Sequence, residues 1–238
     1  MARRRRKRGG LIAVAAAVVA AAAWLHPGLD LGYRGDTVAI AAPAVDGGDL
    51  GSLLTQVKVV DRIDDVPGYE RSCAKDKGCV FGPAWNDPQD SSGCDTRNRL
   101  LRNALQDVTF KAGTHDCKVT GGVLDPDPYT GQRIMFSSNA IQIDHIYPLA
   151  RAFDAGASQW SQQQRQIFAN DPTELVPVSA AANRAKSDSG IDEWRPNFQP
   201  CNYIQRYLTV AVKYQLPITV AERDVATSTC QIAPPAAA

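Results

Sequence analysis

A length of 238 residues bounds the chain at one domain of roughly 150–200 residues plus an N-terminal extension. A hydrophobic share of 44% supplies an ordinary buried core and excludes global disorder. The net charge is +1, but residues 1–31 hold six of the 26 basic residues and one of the 25 acidic ones; the remainder carries 20 against 24, a net of −4, which excludes nucleic-acid affinity through bulk basicity and leaves a local basic groove.

The chain opens on a basic run, Arg3 to Arg8, followed by fifteen uncharged residues, Leu11 to Leu25. A short apolar stretch behind a basic one is the pattern of a secretory signal, with Ala21-Ala22-Ala23 offering a peptidase small side chains. Fifteen residues fall short of the roughly 20 that a spanning helix needs. Residues 1–30 therefore read as a signal peptide, with a membrane anchor as the alternative, and either reading puts the rest outside the cytoplasm. Residues 31–52, rich in Gly, Ala and Pro, read as a flexible linker to a domain over 53–232; residues 233–238 read as a loose tail.

Six cysteines suit an exported chain, and fifteen connectivities are open to them. Joining sequence neighbours gives Cys73–Cys79, Cys94–Cys117 and Cys201–Cys230. None of their spacings is that of a standard zinc site.

Leu53 to Val66 carries a weak strand pattern, and residues 67–94 are loop, punctuated by Gly and Pro. Tyr69-x-Arg71 and Phe81-Gly82-Pro83-Ala84-Trp85-x-Asp87 stand out there, read as aromatic anchors that pack the loop. Asp95 is placed as the N-cap of a helix through Leu100, Leu101, Ala104, Leu105 and Val108. Arg97 then falls in its solvated first turn, with a phosphate contact as the alternative role. Gly121 to Phe136 reads as two strands around the turn Asp125-Pro-Asp-Pro-Tyr-Thr-Gly131. His115 has no partner at a catalytic spacing.

Ile141 to Ile146 alternates as a half-buried strand and delivers Asp144 and His145 side by side. Neighbouring strand residues point to opposite faces, so a site shared by the two requires a bend or bulge. A helix over Ser158 to Phe168, a strand over Leu175 to Val178 and a short helix capped by Ser179 follow. Asn183 and Lys186, three apart, share one face of that last helix. Two more helices close the chain, Tyr203 to Tyr214 and one opened by the capping box Thr219-x-x-Glu222.

Asp144-His145-Ile-x-Pro148, then Asn183-Arg-x-Lys186-Ser-Asp188, in strand-then-helix order, resembles the ββα-metal (His-Me finger) nucleases of the HNH superfamily. The Asp-His-Asn version is also that of the HNH domain of RNA-guided CRISPR nucleases. With the Gly93-Cys-Asp-Thr-Arg-Asn98 block and the Asp-Pro-Tyr-Thr-Gly turn, the chain is similar to the secreted actinobacterial HNH endonuclease family, whose domain-of-unknown-function label is shared with the GmrSD C-terminal region.

The resemblance implies an α+β fold, a ββα-metal core with additional helices, stabilised by disulfides. It implies a metal-dependent endonuclease with His145 as general base and Asp144 and Asn183 as oxygen ligands to a divalent cation, Mg2+ or Mn2+. Lys186, Arg184 and Arg97 would hold substrate phosphates. The substrate is nucleic acid, DNA ahead of RNA, with no obligate protein partner. One departure stands out: many HNH nucleases carry Asn nine residues before the helix ligand, and here that residue is Glu174. Support behind the ligands then falls to Glu174, Asn170 or Asp95. Two other functions compete: a non-catalytic envelope binding module with a degenerate site, and a phosphodiesterase acting on a small nucleotide.

Overall fold

The computed structural model describes residues 47–232, so the leader, most of the linker and the tail lie outside the described residues. Within that span helices and short strands are mixed, the α+β class that the sequence predicts. The order begins with helix α1 (Gly47–Gln56) and strand β1 (Val59–Val60), passes through loop to helix α2 (Thr96–Ala104), and continues with strands β2 (Gln106–Phe110), β3 (Val119–Leu124), β4 (Ile134–Met135) and β5 (Ile141–His145). Helix α3 (Leu149–Asp154), a 3-10 turn (Ala157–Gln159) and helix α4 (Gln162–Phe168) separate β5 from strand β6 (Leu175–Ser179). Helices α5 (Ala180–Lys186) and α6 (Pro200–Tyr214), strand β7 (Ile218–Thr219) and helix α7 (Val220–Cys230) complete it.

The folded unit starts earlier than the expected boundary at Leu53. Helix α1 takes up residues assigned to the linker, because Leu50, Leu53 and Leu54 make an i, i+3, i+4 stripe that is buried in the main core. Glycines 47, 48 and 51 disguise that stripe as tether.

Strands β5 and β6 pair antiparallel in unbroken register, from Ile141 opposite Ser179 to His145 opposite Leu175. Ser179 ends β6 and caps α5 through its side chain, which accepts from Ala182 N. Strand, strand and helix thus form the ββα unit, and it lies between two apolar clusters. Ile141, Ile143 and Leu175 pack with Leu101, Leu105 and Val119 on one side. Val176 and Val178 join the larger core on the other, around Ile204, Tyr207 and Leu208 of α6.

The Asp125–Gly131 turn braces this unit. Asp127 is fully buried; its Oδ1 accepts from Ser179 N at 2.8 Å and its Oδ2 from Thr130 N at 2.9 Å. The turn is therefore tied to the point where β6 becomes α5. The disulfides join Cys73–Cys79, Cys94–Cys117 and Cys201–Cys230, the neighbour pairing expected from sequence. Asp127→Ala leaves the Ser179 amide without its partner in the interior, and is expected to lower the free energy of unfolding by about 2–3 kcal/mol, measured by urea titration.

Candidate active site

Because β5 carries no bulge, its residues alternate strictly between two faces. Ile141, Ile143 and His145 share one face; Gln142 and Asp144 share the other, toward α5. Asp144 and His145 therefore stand back to back. The bend that a common site requires is not there.

On the α5 face, both oxygens of Asp144 are occupied. Lys186 Nζ lies 3.0 Å from Oδ1 and the Tyr129 hydroxyl donates to Oδ2. Lys186 Nζ also donates to His145 O at 2.8 Å. The lysine is 0% exposed and Asp144 5%. Burial raises the Asp144 pKa against the lowering pull of the Lys186 ammonium and the Tyr129 hydroxyl. The expectation that Lys186 holds substrate phosphate is corrected here: its ammonium is enclosed as the counter-ion of Asp144. Asn183 turns to Gln142, donating from Nδ2 to Oε1 at 3.0 Å.

This donor set does not fit a divalent cation as arranged. An ion at Asp144 would have to displace an ammonium and a hydroxyl, and Asn183, whose Nδ2 is turned to Gln142, offers only its Oδ1. Among the described residues no group of three or more His, Cys, Asp or Glu side chains could hold a metal ion.

The opposite face presents His145. Its Nε2 lies 3.1 Å from Ala169 O. A carbonyl only accepts, so Nε2 bears the hydrogen and Nδ1 keeps its lone pair. Burial, then the Arg71 guanidinium, press the imidazole pKa down to about 3. The ring is neutral at physiological pH and keeps a lone pair at Nδ1, while burial and the neighbouring cation make it a weaker base than a free imidazole.

His145 lines a half-open pocket with Arg71, Trp85, Leu149, Ala169 and Asn170. The Trp85 indole lies nearly parallel to the imidazole, interplanar angle 13° and centroids 6.0 Å apart. Trp85 holds φ at 62°, a left-handed backbone that a bulky residue rarely adopts. Such strain costs roughly 1–3 kcal/mol and gathers at functional sites. Gly82, in the same wall at φ +73°, packs so closely that a Cβ would come within 2.7 Å of the Gln166 side chain.

The supporting residues divide. Glu174 is 0% exposed and its Oε2 accepts from Tyr147 N at 3.1 Å, so it ties down the segment just after His145. Burial pushes its pKa well above the ordinary carboxylate range, and Oε1 is buried without a partner. Asn170 sits in the pocket wall, accepting from Thr96 Oγ1 at 2.8 Å and donating to Asn86 O at 3.2 Å. Asp95 is the cap of α2, its Oδ1 accepting from Asn98 N at 2.8 Å. Arg97 is half-buried in the first turn of α2 and Arg184 exposed on α5; neither lines the His145 pocket.

Sequence reasoning missed three residues. Tyr129 was seen only as part of a turn, and nothing local links it to Asp144. Arg71 and Trp85 stood out as loop residues, but only folding lays that loop over His145.

Comparison with known proteins decides the family. A family model described as "GmrSD restriction endonucleases, C-terminal domain" matches residues 95–225, more than half of the chain. The chain belongs to this family. Its type is that of a nuclease. A curated relative from Arthroderma benhamiae, described as an "Uncharacterized secreted protein", is 36% identical over 142 residues, which cover 58% of this chain and 67% of the relative. No solved structure matches significantly. The matched segment contains β5, β6 and α5, whereas Arg71 and Trp85 precede it.

Two outcomes follow from the buried geometry. Lys186→Ala strands a carboxylate in the interior and is expected to cost about 3–5 kcal/mol of stability, against about 0.5 for a surface lysine, read by chemical denaturation. His145 has a folded pKa near 3, below its unfolded value of 6.5. Between those values the unfolded chain binds more protons, so the contribution of His145 is complete above pH 6.5 and is lost as pH falls toward 3. Stability of His145→Gln relative to the parent is expected to rise as pH falls through that window, by at most about 1.4 kcal/mol per pH unit, in urea titrations at stepped pH.

Proposed function

We propose that this chain is an exported endonuclease that hydrolyses phosphodiester bonds of DNA, with His145 as the general base. The observation that carries the reading is a neutral imidazole on the ββα unit of a nuclease-type family. Its Nε2 is fixed by a carbonyl, and its Nδ1 takes no hydrogen bond among the described residues. Water held at Nδ1 gives its proton to the ring and attacks phosphorus; the bond to the leaving oxygen breaks and that oxygen takes a proton from solvent. Anchoring of Nε2 orients the ring, and Glu174, through Tyr147 N, steadies the backbone beside it. A divalent cation, Mg2+ ahead of Mn2+, would polarise the phosphate when bound. Asp144 and Asn183 do not fit that ion as arranged, and no step is assigned to it. Three disulfides and a secreted relative support an extracytoplasmic site of action.

The test incubates the purified chain with plasmid, single-stranded DNA and RNA, each with Mg2+, Mn2+ or EDTA. Cleavage is expected, with DNA cut ahead of RNA, and His145→Ala is expected to lower the rate by about 100-fold or more while the circular dichroism spectrum is retained. Activity that survives the substitution would sink the assignment of the base. No cleavage under any condition would return the chain to a binding module. Loss of cleavage in EDTA would mean that the reaction needs a divalent cation.

A further inference from the structure

Attack on a phosphodiester piles negative charge onto the phosphate oxygens, and fixed cations or donors must meet it where it develops. The cations expected of α5 do not serve His145: Lys186 is enclosed with Asp144 on the other face of β5, and Arg184 does not line the pocket. Among the residues that line that pocket one side chain is charged, that of Arg71.

Arg71 is exposed, and its guanidinium makes no hydrogen bond or ion pair among the described residues. It stands near enough to His145 to rank next after burial in depressing the basicity of the imidazole. Its backbone, by contrast, is pinned. Cys73 is bonded to Cys79, Cys79 N donates to Ser72 O and Val80 N to Glu70 O, both at 3.0 Å. Arg165 Nε holds Val80 O at 2.6 Å. An unpaired fork of five donors, on a stapled loop beside a general base, has the chemistry of a phosphate grip.

We propose that Arg71 is the phosphate-holding residue of the His145 pocket, kept over it by the Cys73–Cys79 loop. That the phosphate belongs to a nucleic-acid backbone rests on the nuclease reading; affinity for phosphate itself does not.

Binding is measured on the full chain carrying His145→Ala, so that the probe is not cut, with and without Arg71→Ala or Arg71→Lys. The probes are a short single-stranded DNA oligonucleotide at stepped salt and, in parallel, inorganic phosphate. Arg71→Ala is expected to weaken the oligonucleotide roughly tenfold to a hundredfold and to reduce the slope of log affinity against log salt by about one. Arg71→Lys keeps the charge without the fork and should recover the slope but only part of the affinity. Replacing Cys73 and Cys79 by Ser together is expected to weaken both probes with the slope retained. In the His145 background, turnover measurements with Arg71→Ala should raise KM more than they lower kcat. Phosphate binding that depends on Arg71 without oligonucleotide binding would uphold the grip and sink the nuclease reading. Absence of any Arg71-dependent binding of either probe would overturn the proposal.

Discussion

The contact between the Lys186 ammonium and the Asp144 carboxylate brings three pieces of chain to one point: strand β5, helix α5 and, through Tyr129, the Asp125–Gly131 turn. A buried ion pair is weak evidence for net stability, since desolvating both charges offsets much of their attraction. What it does supply here is selectivity of register. A slip of β5 by one residue would bring His145 to Lys186, two cations or a cation and a neutral ring, and would turn Asp144 into the apolar cluster around Leu101 and Leu105. The alternation that sends Asp144 to the α5 face is the same one that sends His145 to the opposite face and its pocket.

Much of this unit was legible in the chain. The period-two pattern of Ile141 and Ile143, the Ser179 cap and the Thr219–Glu222 capping box each act within a few residues, and the structure keeps them where local rules place them. Strands β1 and β7, two residues each, pair across most of the domain; β1 falls within the weak strand pattern of Leu53 to Val66, while β7 leaves no local pattern to read. Lys186 was misread because a lysine on a short helix beside Asn and Arg has the look of a solvated cation. Its burial depends on a carboxylate 42 residues away. The alternation rule had already set Asp144 against His145, while the resemblance asked for one shared site; the geometry follows the rule.

The pocket is composite. Its base comes from the segment that matches the nuclease-type family, and its other wall comes from loop residues 71–85, which precede that segment. The two walls are held together by small contacts: Gln166 Nε2 on Asn86 O at 2.6 Å, Asn170 on the same carbonyl, and the Arg165 guanidinium on Val80 O. A loop of this kind can vary its chemistry while the strand and helix beneath it stay the same, which is how a fixed catalytic frame acquires different substrates.

Each disulfide joins a cysteine to the next one along the chain, with separations of 6, 23 and 29 residues, and none encloses another. For a polypeptide delivered through a membrane from its N-terminus, that arrangement has a bearing on assembly. An oxidant that acts on cysteines in order of emergence joins first to second, third to fourth and fifth to sixth, and so reaches the native pattern with no isomerase step. On such a route the staple under the Arg71 loop would close before the strand that carries His145 emerges.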